Sequence, residues 1–393
     1  MSADPIVILA AQRTPMGAFQ GALASATGPQ LGAAAIRGAV AAARIDPTQV
    51  DEVVMGCVLS AGLGQAPARQ AALGAGLRES IPATTLNKMC GSGMRAVMSA
   101  ADAIAAGSAA LVVAGGLESM TNAPYLLPKA RAGYRMGHQE VIDHMFYDGL
   151  QSPWDGKLMG AFAEATAERY GFRREDQDAF ATESVRRAQD AVRRGAFAAE
   201  VTPVTTRTRS GETTVTADET PHLVAIEKIP SLKAAFKKDG TVTAASSSSI
   251  ADGAAALVLT SAAHAKTLGV APIARIVGHA SFAREPEWFT LAPIGAIGKL
   301  LDRIRWRADD VDLFEVNEAF AVVTMAASRD LRLDPAKVNV HGGACALGHP
   351  IGATGARILA TLVHALRARG GRRGVASLCI GGGEATAVAV ELD

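Results

Sequence analysis

The chain has 393 residues, enough for two or three domains with large cores, and a formal net charge of +1 gives no global field for a nucleic acid partner. Its four cysteines, Cys57, Cys90, Cys345 and Cys379, are far apart and make no CxxC pair. That spacing suggests neither a disulfide-stapled secreted fold nor a structural zinc site. The first five residues carry an acid and no basic segment, and no apolar run reaches membrane length, so the default expectation is a cytoplasmic protein without membrane insertion.

In chain order, Ile6 to Ala11 reads as a buried strand ended by the turn Arg13-Thr14-Pro15-Met16-Gly17. Gln30 to Ala43 is expected to be helical and Asp51 to Cys57 extended. After Cys90, the residues Met94, Val97, Met98, Ala101, Ile104 and Ala105 recur at three- and four-residue spacing, one buried helix face. Ala109 to Ala114 reads as a strand covered on both faces and closed by Gly115-Gly116. The composition then changes. Residues 121–249 form a loop-rich insertion with a basic cluster at Lys129, Arg131 and Arg135, helices over Gly160 to Tyr170 and Arg174 to Arg194, and Thr-rich extended segments within Val201 to Thr216. Ser246 to Ser249 leads into an apolar run, Ala254 to Leu259, that returns to the first unit.

The last third repeats the first in outline. Asp51-Glu52-Val53-Val54 resembles Asp312-Leu313-Phe314-Glu315, and Ala114-Gly115-Gly116-Leu117-Glu118 resembles Gly381-Gly382-Gly383-Glu384. A duplicated α/β unit follows, divided as residues 1–120 plus 250–271, then the insertion, then 272–393. The helix Thr354 to Arg369 closes the second Gly-rich turn.

Four positions could carry chemistry. Cys90 sits between a strand-like and a helix-like segment, where unpaired N–H groups and the helix dipole favour a thiolate, and Gly91 and Gly93 leave room for a bulky substrate. A lone cysteine in such a chain is more often a small buried hydrophobe. His349, within Gly348-His349-Pro350-Ile351-Gly352, could deprotonate Cys90 or stabilise a carbonyl oxygen, although a histidine at a turn is more often a hydrogen-bonded structural residue. Cys379 beside Gly381-Gly382-Gly383 and Asn317 in Asn317-Glu318-Ala319-Phe320 each also has a plain structural reading, a buried thiol and a cap.

Taken together, Asn87-Lys88-Met89-Cys90-Gly91-Ser92-Gly93, Asn317-Glu318-Ala319-Phe320-Ala321, Gly342-Gly343 with Gly348-His349-Pro350-Ile351-Gly352, and Cys379-Ile380-Gly381-Gly382-Gly383 resemble, in order, the four signature regions of the thiolase family. The resemblance implies a duplicated, five-layered α/β/α/β/α fold, a homotetramer or homodimer, and an insertion that binds coenzyme A. It implies Cys90 as the acylated nucleophile, His349 as its activator, Cys379 as the second acid/base and Asn317 as the holder of a water, with the N–H groups of Cys90 and Gly381 as an oxyanion site. Ser248, Leu158 and His222 fall where the family contacts coenzyme A. Here the chain departs from the pattern: Leu158 stands where acetoacetyl-CoA thiolases often have histidine, His222 where many relatives have arginine, and His341 and Glu384 where Asn and Met are frequent.

The activity so implied is that of an acetyl-CoA C-acetyltransferase, joining two acetyl-CoA through an acyl-cysteine or running in reverse. Neither a resident cofactor nor a catalytic metal is expected; coenzyme A and acyl-CoA are the substrates. The alternatives are a 3-ketoacyl-CoA thiolase for longer chains, a decarboxylating condensing enzyme, and a non-catalytic lipid- or partner-binding relative. The intact Cys379 argues against the last two.

Overall fold

In the computed structural model, which describes residues 4–208 and 211–393, the main sheet is built from β1 (Ile6–Arg13), β2 (Glu52–Gly56), β3 (Ala83–Leu86), β4 (Leu111–Ser119), β7 (Ala251–Ser261), β8 (Ala274–Ala283), β9 (Leu313–Val316), β10 (Arg373–Ile380) and β11 (Glu384–Glu391). A separate hairpin, β5 (Val204–Thr208) with β6 (Gly211–Val215), realises the Thr-rich extended segments. The longer helices are α1 (Gly28–Ala43), α2 (Pro67–Gly74), α3 (Ser92–Ala105), α4 (Met159–Tyr170), α5 (Arg174–Arg193), α6 (Ala292–Ile304), α7 (Ala321–Asp330) and α8 (Thr354–Arg369). Local chemistry sets their ends: Thr27 and Gln30 form a reciprocal capping box at the start of α1, and Gly171 and Gly370 take left-handed backbone angles after α4 and α8.

The strands run in the order β9-β10-β11-β8-β1-β7-β4-β2-β3. The duplication is visible in that order. Outward from the β1–β8 junction, β1-β7-β4-β2 and β8-β11-β10-β9 show the same pattern, in which only the outermost pair of each set, β4 with β2 and β10 with β9, is parallel. In one set the connection from third strand to second is residues 120–250, and in the other it is the three-residue turn Gly381–Gly383.

This symmetry corrects one expectation. Gly115 and Gly116 do not close their strand; β4 runs through them to Ser119, so they are not the counterparts of the Gly381–Gly383 turn. They are glycines because of what lies above them. A Cβ on Gly115 would fall 1.9 Å from the Ala255 carbonyl oxygen, and one on Gly116 would fall 2.0 Å from that of Gly352.

Apolar side chains divide the molecule into the five layers. Leu31, Ile36 and Val40 of α1 pack with Val53, Val113 and Leu117 on one outer face of the sheet. Met94, Val97 and Met98 of α3 meet Leu359, Leu362 and Val363 of α8 in the middle, against Ile8, Val112, Leu257 and Leu378. Ala296, Ile297 and Leu300 of α6 cover Phe314, Val375 and Ala387 on the far side. The central layer therefore carries the N-termini of α3 and α8, and with them the turns bearing Cys90 and His349.

Candidate active site

Cys90 lies in the turn between β3 and α3. The turn is built by its neighbours: Asn87 Oδ1 accepts from the Met89 N–H at 2.8 Å, Ser92 Oγ accepts from the Lys88 N–H at 2.8 Å and donates to the Met89 carbonyl at 2.7 Å, and Met89 takes a positive φ of 47°. Lys88 is further tied to Glu384 by an ion pair. Glycine is required beside the sulfur, because a Cβ on Gly91 would sit 2.3 Å from Ile380 Cδ1 and one on Gly93 3.0 Å from the Gly352 carbonyl oxygen.

The thiol of Cys90 is pushed up to about 11, chiefly by burial, while the N–H groups of Gly381 and of Cys90 itself favour the anion and the charge of Glu118 opposes it. The helix entrance alone pointed to a lowered value. Burial outweighs it here, so the resting group is a thiol that needs a base.

His349 supplies a candidate. Its Nδ1 lies 2.6 Å from Thr354 Oγ1, and that hydroxyl donates onward to the Pro350 carbonyl at 3.0 Å. This assigns the ring proton to Nδ1 and leaves Nε2, buried and without a partner atom among the described residues, as a free lone pair. Burial, and then the charge of Arg357, push the imidazole down to about 3, so it is neutral through the physiological range.

Cys379, at the end of β10, is completely buried, and its thiol is raised well above the ordinary value by burial and by the nearby charge of Cys90. Two sulfurs 289 positions apart in the chain thus lie within electrostatic reach of one another. Asn317 follows β9, its backbone N–H bonded to the Ser377 carbonyl at 3.0 Å; its side-chain Oδ1 and Nδ2 are both buried without a partner among the described residues. A buried amide with both ends free needs a water or a ligand.

His349 opens onto a cavity of about 350 Å³ whose lining includes Leu158, Met159, Phe236, Ser248, Phe320 and Ile351. Residues 120–250 therefore supply much of its wall. Ser248 is held by its N–H to the Ala319 carbonyl at 3.0 Å, and the His349 N–H bonds the Ser249 carbonyl at 2.9 Å, so the serine run is a shaped loop joined to the histidine turn. His222 is exposed in a short helix and is not among the residues lining this cavity. A larger cavity, about 630 Å³, lies between α1 and the β5–β6 hairpin and holds none of these groups.

Residues 6–263 match the family model described as "Thiolase, N-terminal domain", and residues 270–392 match "Thiolase, C-terminal domain". The chain belongs to the thiolase family. It is 48% identical over 390 residues to an acetyl-CoA acetyltransferase of Pseudomonas aeruginosa, covering 99% of each chain, and 46% identical over 387 residues to a probable acetyl-CoA acyltransferase of Staphylococcus aureus, covering 98% of each. Among solved structures, an acetyl-CoA acetyltransferase of Bacillus anthracis superposes with a TM-score of 0.97 at 41% identity over 100% of this chain and 99% of that one. A thiolase of Ascaris suum, solved in complex with coenzyme A, gives 0.94 at 41% identity over 99% and 100%.

The thiolase motifs do not by themselves reveal two groups in this site. Thr354, which orients His349, stands five residues beyond it and reads in sequence as an ordinary first helical residue. Glu118 is a fully buried carboxylate beneath the histidine turn, and the visible signal for it is a single acid in the otherwise apolar strand β4.

Proposed function

We propose that the protein is an acetyl-CoA C-acetyltransferase, catalysing the reversible condensation of two acetyl-CoA to acetoacetyl-CoA and coenzyme A. The observation that carries this reading is the approach of Cys90 to the Gly381 N–H and to Cys379, with the turn bearing an imidazole of free Nε2 packed at Gly352 against Gly93 of the helix that follows Cys90.

In the cleavage direction, Nε2 of His349 takes the proton of the Cys90 thiol and the sulfur attacks the keto carbon of acetoacetyl-CoA. The bond between that carbon and the adjacent methylene breaks, its electron pair passes to the leaving enolate, and the Cys379 thiol protonates it to acetyl-CoA. Coenzyme A gives up its thiol proton to the Cys379 thiolate, its sulfur attacks the acetyl carbon, the bond from that carbon to Cys90 breaks, and the departing Cys90 sulfur recovers the proton held by His349 as the second acetyl-CoA leaves. Negative charge on the carbonyl oxygen bound to Cys90 is met by the N–H groups of Cys90 and Gly381; one such donor is commonly worth about 3 kcal/mol. A water held by the free amide of Asn317, together with His349, serves the thioester oxygen of the enolate.

Coenzyme A is a substrate here, its pantetheine arm passing Ser248 and Leu158 in the 350 Å³ cavity. The polar groups of residues 121–249, with His222, receive the nucleotide end. We read the division of the chain as residues 1–120 plus 250–271, 121–249 and 272–393. The exposed apolar residues Tyr125, Leu127, Met136 and Val141 support burial against further copies in a homotetramer or homodimer. Among the described residues no helix is long and apolar enough to cross a membrane. Four unpaired thiols fit a reducing compartment, which we take to be the cytoplasm.

A second reading, thiolysis of longer 3-ketoacyl-CoAs, is favoured by one observation. A cavity of about 440 Å³, lined by Met89, Tyr147, Trp154, Met159, Gly381 and Gly382, adjoins the oxyanion donor and could take an alkyl chain. The test offers acetoacetyl-CoA and longer 3-ketoacyl-CoAs with free coenzyme A and follows the loss of each, with Cys90→Ser in parallel. Turnover of acetoacetyl-CoA that vanishes in the variant is expected; turnover indifferent to Cys90 refutes the mechanism, and a clear preference for longer chains selects the second reading.

A further inference from the structure

Glu118 has no part in the chemistry above, yet its surroundings are unusual. The carboxylate is completely buried at the end of β4, and among the described residues no Lys, Arg or His nitrogen comes within 4.0 Å to neutralise it. It is held by backbone. Oε2 accepts from the N–H of Val58 at 3.0 Å and from that of Gly352 at 2.8 Å, Oε1 accepts from the N–H of Leu59 at 3.0 Å, and the thiol of Cys57 lies 3.7 Å from Oε1. These donors belong to two segments far apart in the chain, the turn after β2 and the turn carrying His349. Gly352 is fitted to the carboxylate, since a Cβ there would stand 2.5 Å from Oε2. Around the junction Val58, Leu59 and Ile351 form one apolar cluster, with Met89 and Cys90 packed against it.

We propose that Glu118 is a positioning residue for the reaction: its carboxylate ties the His349 turn to the first half of the fold and so sets the imidazole against Cys90. The proposal rests on the thiolase reading of those two residues. It requires the ionised form, because a carboxylic acid would present an O–H where three N–H groups already converge, leaving a donor without an acceptor.

Burial raises the carboxyl of Glu118 to about 7, against the pull of the three N–H groups and the Cys57 thiol. The other titratable groups around it are accounted for. Cys57 on the β2 side is a thiol pushed far up by burial, Cys90 at the α3 entrance is raised to about 11, and His349 on the same turn is neutral above about 3. Asp252 on the adjoining strand β7 accepts from Ser119 Oγ and the Thr121 N–H through Oδ1 only, and burial raises its carboxyl as well, but among the described residues it makes no hydrogen bond to the His349 turn. Glu118 is therefore the carboxylate bonded to this turn that titrates near neutrality, and the clamp loosens as the pH falls through about 7.

The experiment measures kcat and KM for thiolysis against pH in the parent and in Glu118→Gln. The parent is expected to lose kcat on the acid side of pH about 7. The variant, whose amide cannot accept from all three donors, should show kcat at least tenfold lower at pH 8, KM within about threefold, and no acid limb. A variant with kcat within twofold of the parent, or with the same acid limb, overturns the proposal. If Glu118→Gln does not fold, hydrogen exchange in the parent decides: peptides containing Val58, Leu59 and Gly352 should lose protection together between pH 8 and 6 after correction for intrinsic exchange, and unchanged protection overturns the clamp. That measurement does not depend on turnover, so a parent with no thiolase activity would refute the reaction assigned above and leave the exchange result to judge the clamp.

Discussion

The backbone N–H of Gly381 lies near enough to the sulfur of Cys90 to favour its anion, although the two residues belong to opposite halves of the duplicated fold. Under the proposed reaction this N–H, with that of Cys90 itself, would meet a carbonyl oxygen on acylated Cys90. The remaining requirement is a correctly oriented base, and that rests on a hydroxyl.

Thr354→Val should lower kcat by roughly tenfold or more with little change in KM, because His349 would lose the acceptor that keeps its proton on Nδ1. Thr354→Ser should restore most of the rate. Steady-state kinetics on the two variants checks this, and a rate kept in Thr354→Val but lost in Thr354→Ser would show that the methyl group, not the hydroxyl, matters.

Stability should fall at alkaline pH. Burial raises the thiols of Cys57, Cys90, Cys345 and Cys379 above the unfolded value of about 8.5, so above that pH the unfolded chain has released protons that the native chain still holds. With fewer protons bound in the unfolded state, unfolding becomes easier as the pH rises, by up to about 1.4 kcal/mol per pH unit for each thiol. Urea midpoints at pH 8, 9 and 10 should decrease in that order, and Cys345→Ala should flatten the slope.

Arg13→Gln should cost about 3–5 kcal/mol of stability. Its guanidinium is fully buried, with Nε 2.6 Å from Glu200 and a two-pronged contact to Asp218 at 2.6 and 2.8 Å, so the substitution would strand two buried carboxylates. Denaturant titration reads the loss, and an unchanged midpoint would mean that water replaces the arginine.

Gly355→Ala should destabilise by about 1–3 kcal/mol, since its Cβ would stand 2.4 Å from the Met94 backbone nitrogen where the two central helices begin. Because that contact also joins the turns bearing Cys90 and His349, activity should fall with stability if those turns act as proposed. A thermal melt and a rate measurement on the same sample test both.

The parts of this site that sequence made legible are those whose geometry is local. Cys90, His349 and Cys379 each stand next to glycines that must be absent of side chains for backbone to approach, and that pattern is visible in a one-dimensional chain. The thiol's raised pKa was not legible, because a helix start suggests the dipole while burial depends on what packs above it. Gly115 and Gly116 misled for a related reason: they look like the end of a strand, yet they make space for the carbonyls of Ala255 and Gly352, 140 and 236 positions away. Glu118 was hidden likewise, since two of its partners precede it by about 60 residues and the third follows by 234.

Equivalent strands in the two halves are joined by a three-glycine hairpin on one side and by residues 120–250 on the other. The hairpin has no slack, because a Cβ on Gly383 would fall 2.3 Å from the Arg284 carbonyl oxygen, and it delivers an N–H to the reacting sulfur. The long excursion leaves and re-enters the sheet at fixed points, so its interior can be rewritten without altering strand register. One half thus turns back on itself within three residues, while its twin spends a long excursion on walling the cavity beside His349.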